Sequence, residues 1–88
     1  MAITRDELTK ILAEADPVGL IAAGAPLDEY AAEAESILGL RGVPTLTEIT
    51  GIFSVSFSTP GACSRETARW IVEEMVRRGG KFQPQAGS

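Results

Sequence analysis

The sequence predicts an all-α fold, a compact four-helix domain with helices near residues 5–15, 28–39, 45–58 and 64–78. Apolar residues recur at three- and four-residue spacing in four separate stretches. Two capping boxes, Thr4 to Glu7 and Thr45 to Glu48, stand ahead of two of those stretches. One stretch alone also alternates as a strand would, and a lone strand has nothing to pair with. At 88 residues and 44% apolar side chains, the chain reads as one domain over 1–80 with a loose tail at 81–88. So short a chain buries about two-thirds or less of its unfolded surface, which leaves one modest core.

The first helix opens near residue 5. Thr4 is placed to accept from the Glu7 amide while Glu7 reaches back, and Ile3 and Leu8 occupy the hydrophobic-staple positions. Leu8, Ile11, Leu12 and Ala15 form its apolar stripe. Asp16-Pro17 closes it, because a residue before proline is pushed out of the α region. Residues 17–27 are apolar but hold Gly19, Gly24, Pro17 and Pro26, so they form a connector with one short helical turn over 18–23.

Asp28 is a good N-cap for the second helix, with Glu29 in the first turn where the helix dipole favours an anion. Tyr30, Ala31, Ala34, Ile37 and Leu38 mark its inward face, Glu29, Glu33 and Glu35 its solvent face, and Gly39 or Gly42 its end. Phe53, Val55 and Phe57 alternate with Ser54, Ser56 and Ser58, so residues 51–58 read as strand or helix. Helix is preferred, since the Thr45–Glu48 capping box leads into Leu46, Ile49, Phe53 and Phe57 at helical spacing.

Thr59-Pro60-Gly61 is a turn, and Ser64 caps the last helix with Glu66 in its first turn. Ala68, Ile71, Val72, Met75 and Val76 form the stripe, and Glu73–Arg77 and Glu74–Arg78 are i, i+4 pairs. Arg77-Arg78-Gly79-Gly80 ends it.

With no His and one Cys, the chain has no Cys/His zinc site, no Ser-His-Asp or Cys-His catalytic arrangement and no internal disulfide. No glycine string precedes the Lys-Ser/Thr of a phosphate loop. No cofactor or metal is expected, and the protein is read as a non-enzyme. No run approaches the ~20 apolar residues of a membrane span, and Met1 to Glu7 lacks the pattern of a signal peptide, so a cytoplasmic protein is expected. The net charge of −4 is uneven: residues 1–40 carry eight acids against two bases, and residues 41–88 carry four acids against six. The halves should attract each other. Bases interleaved with Glu48, Glu66, Glu73 and Glu74 do not make a nucleic-acid surface, whereas a basic protein partner suits the acidic half.

The string Asp16-Pro17-Val18-Gly19-Leu20, followed by Asp28-Glu29-Tyr30, resembles a family of small bacterial helical proteins of unknown function marked by D-P-[IVF]-G-[IVL] and then D-E-Y. The resemblance covers the first half well and the second half in pattern, through Ile52-Phe53, Phe57, Cys63, Ala68 and Ile71. It implies a short helical bundle, and relatives of this kind include immunity and accessory proteins encoded near bacterial toxins. The chain departs from the pattern at Ala15, where Trp is frequent, and at Ala31, where another Asp is common.

Several residues carry two readings. Asp16, Asp28, Glu29 and Glu33 would suit a hard divalent cation if they converged, but the preferred reading makes Asp16 and Asp28 turn and cap residues and Glu29 and Glu33 a solvated pair. Tyr30 either offers its hydroxyl to a pocket or packs over the connector and bonds Asp16. Trp70 lies off the apolar stripe beside Arg69 and Glu73, as a binding hot spot or as a seal on the core edge. Cys63 is a reactive thiol at a helix start or, as preferred, a buried filler.

These readings combine into a non-enzymatic protein-binding module, an adaptor or immunity-type inhibitor. Its expected partner-binding residues are Asp28, Glu29, Tyr30, Glu33, Glu35 and Trp70, with Asp16, Pro17 and Gly19 as the structural motif. The alternative is a structural homo-oligomer, a homodimer for instance, sharing apolar surface from the 17–27 connector or the Phe53/Phe57 helix.

Overall fold

Capping, apolar spacing and Gly/Pro punctuation divide the chain much as expected. The computed structural model describes residues 3–40 and 42–79, which form α1 (Arg5–Ala15), α2 (Ala31–Leu38), α3 (Leu46–Ser56) and α4 (Arg65–Gly79). The described residues contain no strand. The expected tail at 81–88 lies outside them. The helices close a ring in which α1 packs on α2 and α4, and α3 packs on the same two.

α1 starts where Thr4 Oγ1 accepts from the Glu7 amide at 3.1 Å. The return half of that capping box is not made, because Glu7 Oε2 accepts from Arg78 of α4 at 3.0 Å instead. Leu8, Ile11 and Leu12 are buried on its inner side. The helix ends on Asp16 at φ 47°, a left-handed cap whose amide donates to the Leu12 carbonyl at 2.8 Å. A short polar side chain tolerates that conformation better than most.

The connector makes its single helical turn through bonds from the Ala23 amide to Gly19 and Leu20 and from the Gly24 amide to Ile21. α2 then begins three residues later than expected. Asp28 and Glu29 lie in a preceding turn, where the Glu29 amide donates to Pro26 and the Ala31 amide to Asp28. The Asp28 side chain makes no cap bond among the described residues. Tyr30 is the N-cap residue at φ −95°, ψ 19°, without a side-chain cap bond. Its side chain is committed to the core and the connector, and this sets the start of the helix. Glu33, expected in solvent, is buried at 8% exposure, because it lies four residues before Ile37 and shares its face. Leu38, expected inward, is 38% exposed.

Residues 46–56 are helix. Both halves of the capping box form, with the Thr45 amide donating to Glu48 Oε1 at 2.8 Å and the Glu48 amide to Thr45 Oγ1 at 3.1 Å. Ile49 and Phe53 are buried while Val55 is 80% exposed, as a period of 3.6 requires and a period of 2 forbids. The helix stops two residues short of the expected end, at the cap residue Phe57, and Ser58 turns to φ 52°.

Ser64 Oγ accepts from the Thr67 amide at 3.0 Å and opens α4. Ala68, Ile71 and Met75 are buried and Val72 packs partly, but Val76 is 42% exposed. Glu73 forms no ion pair with Arg77 among the described residues. Glu74 takes both Arg77 and Arg78. Arg78 also reaches Glu7 at 3.0 Å and Glu14 at 2.8 Å, so the basic half meets the acidic half as a clasp between α4 and α1.

The centre of the ring is aromatic. Tyr30 meets Phe53 and Phe57 edge-on at centroid distances of 5.9 and 6.3 Å, and the two phenylalanines stack 6.1 Å apart. Such pairs add about 0.5–1.5 kcal/mol beyond the area they bury. None of the described helices is long and apolar enough to cross a membrane.

Candidate functional site

The Asp16 to Tyr30 motif is a structural knot. Proline after Asp16 and the left-handed Gly19, φ 79°, turn the connector back over the end of α1. Two amides then point at the Asp16 carboxylate, Ile21 to Oδ1 and Ala22 to Oδ2, each at 3.0 Å. Tyr30, fully buried, donates its hydroxyl to Asp16 Oδ1 at 2.7 Å and accepts from the Val18 and Leu20 amides at 3.3 Å. One phenol oxygen and one carboxylate thus satisfy four amides of an irregular segment that has no helical partners for them.

Burial works to raise the Asp16 carboxyl. The bonds from Ile21, Tyr30, Ala22 and Leu20 outweigh it and hold the group below the ordinary 3.8. Burial, and then donation to Asp16, pushes the Tyr30 phenol up.

This geometry sorts the expected partner-binding residues. Tyr30 is fully enclosed, and Glu33 is buried with only 8% of its surface exposed. Asp28 and Glu29 are exposed in the turn before α2, and Glu35 is exposed and pairs with Arg5 at 3.0 Å. Trp70 stands apart from them at 37% exposure, beside a shallow recess shared with Glu14, Ala15, Glu66 and Thr67.

A larger groove was not foreseen. It occupies about 470 Å³ between the outer face of α1 and the 26–28 turn, lined by Asp6, Lys10, Ala13, Glu14, Leu27 and Asp28 among others. Leu27 is 71% exposed there. Glu14 lines both this groove and the Trp70 recess, so the two adjoin along α1. The sequence carried one signal for the groove: Asp6, Lys10, Ala13 and Glu14 fall at three- and four-residue spacing opposite the buried stripe.

Asp16, Asp28, Glu29 and Glu33 do not converge, and no group of three or more acidic or thiol ligands forms among the described residues. Cys63 is buried at 2% exposure, and burial pushes its thiol up to about 11. Phe53 is enclosed and Phe57 packs against the same core, so a copy of the chain meeting α3 would find the side carrying Ile52 and Val55. Compared with family models, curated proteins and solved structures, the chain finds no match, and the bacterial-family resemblance rests on its motif residues alone.

Proposed function

We propose that the protein is a non-catalytic binding module that presents an acidic surface to a basic region of another protein. The observation that carries this reading is the α1 face, where exposed Leu27 and Trp70 flank a row of carboxylates from Asp28, Asp6, Glu14 and Glu66. Apolar anchors beside a surface where carboxylates outnumber the single Lys10 divide the labour of an interface. The charges speed encounter and choose the partner, and the anchors set residence time. Glu29, exposed in the turn that carries Asp28, adds to the negative charge there, whereas Glu35 is paired with Arg5. An immunity-type inhibitor of a basic toxin is the version that the motif resemblance suggests. A cytoplasmic setting goes with it, which the free Cys63 suits.

The test is affinity capture from host lysate at low and high salt, run in parallel with the Asp28→Lys, Glu29→Lys double variant. The expected result is a stoichiometric basic protein that binds at low salt, is lost at high salt and is not captured by the variant. Capture unchanged by charge reversal rejects the acidic surface as the recognition element.

A further inference from the structure

The groove between α1 and the 26–28 turn has a floor and a charge pattern that together specify an occupant. Ala13 and Leu27 supply apolar surface. Three carboxylates, Asp6, Glu14 and Asp28, surround it against one ammonium, Lys10. Asp6, Lys10 and Glu14 follow one another at four-residue steps along α1, and Lys10 makes no ion pair among the described residues. Glu14 keeps 52% of its side chain exposed even while Arg78 holds one oxygen. A leucine 71% exposed on a turn contributes nothing to this chain's own core.

We infer that this groove is where the partner docks, and that it takes a short cationic segment that inserts one aliphatic side chain beside Leu27 and Ala13 and sets lysine or arginine against Asp28, Asp6 and Glu14. The inference rests on the acidic-surface reading and locates it. The seat is α1 with the connector rather than α2, whose Glu33 and Tyr30 are buried. An aliphatic side chain covers the exposed leucine, and the flanking bases answer the net negative rim at little desolvation cost because both sides stay partly in water.

The probe is an acetylated, amidated (Lys-Leu-Lys)3 peptide, with (Glu-Leu-Glu)3 as control, titrated into the isotope-labelled full chain and followed by amide chemical shifts. Saturable shifts at Lys10, Ala13, Leu27 and Asp28 are expected. Leu27→Ser and Asp28→Lys should each weaken binding roughly fivefold or more. Both positions are exposed, so the variants keep the fold, which their own spectra verify. Shifts centred on Glu29 and Glu35 or on Trp70 overturn the groove and leave the acidic-surface reading standing. Equal binding of the glutamate peptide overturns the charge argument. Peak shifts that follow protein concentration without peptide assign the groove to a second copy of the chain and overturn the heteromeric occupant. Absence of any saturable shift overturns the groove, and salt-sensitive capture of a basic protein then shows whether the wider reading falls with it.

Discussion

The Tyr30 hydroxyl and the Asp16 carboxylate meet at 2.7 Å across fourteen residues of chain, and this bond ties the end of α1 to the start of α2. Tyr30→Phe keeps the ring in its edge-on contacts with Phe53 and Phe57 but leaves the Val18 and Leu20 amides without their acceptor. Equilibrium urea unfolding should show a loss of about 1–3 kcal/mol with an unchanged m-value. A loss of a few tenths would mean that the connector finds water as readily as the phenol.

Asp16→Asn separates charge from conformation, because asparagine also tolerates the left-handed φ of 47°. The folded Asp16 carboxyl titrates below the ordinary 3.8, so the folded state binds fewer protons than the unfolded one. Its stabilisation is complete above that value and is lost as pH falls through the lower folded one. Wild type should therefore exceed the variant near neutral pH, and the gap should close as the pH falls below the ordinary 3.8 and through the lower folded value. A gap that stays constant with pH would falsify this assignment.

Much of the fold was legible because each helix carries its own local instructions. Thr45 to Glu48 announces α3 against the serine alternation, and the exposed Val55 shows why: a helix tolerates an apolar residue out of phase, whereas a paired strand would need the whole set. The start of α2 was misread because capping propensity at Asp28 competes with a tertiary demand that no local pattern expresses. Tyr30 must reach Asp16, and that places residues 28–30 in a turn. The acidic character of the surface was visible in the charge count, but its geometry was not. Burial of Glu33 follows from its place four residues before Ile37, whereas exposure of Leu27 depends on how the connector lies over α1, which the Asp16 and Tyr30 side-chain bonds fix rather than any periodicity.

Arg78 joins Glu7 and Glu14 of α1 while also bonding Glu74 on its own helix. Its hydrogen bonds to the Glu14 and Glu7 carboxylates push its guanidinium pKa further up despite partial burial, so it stays charged at every accessible pH. Arg78→Met keeps the aliphatic stem and removes the clasp. Partly exposed pairs of this kind contribute about 0.5–1 kcal/mol together. The expected signature is a small loss of thermal stability at low salt that shrinks at high salt. A loss independent of salt would assign the effect to packing of the stem.

Cys63 should resist modification while the protein is folded. Its thiol is buried at 2% exposure and pushed up to about 11, so almost no thiolate exists at neutral pH and little of the sulfur can be reached. Ellman's reagent should react completely in denaturant and only at the rate of unfolding in buffer. Fast labelling of the native protein would mean that the loop from Thr59 to Ser64 opens well below the global unfolding free energy.

Gly51 sits in the middle of α3, where no turn or positive φ requires glycine. A Cβ built there meets nothing within 4 Å, so alanine adds no clash and loses no hydrogen bond. It removes backbone freedom from the unfolded chain and raises helix propensity, which predicts a gain of about 1 kcal/mol for Gly51→Ala in urea unfolding. The position lies on the outer side of α3 beside Ser36, Ile52 and Val55, away from the α1 groove. The variant should therefore bind the cationic peptide as wild type does while unfolding later. If a second copy of the chain used the Ile52 and Val55 side instead, the added methyl would change self-association in light scattering, and stability and assembly would then shift together.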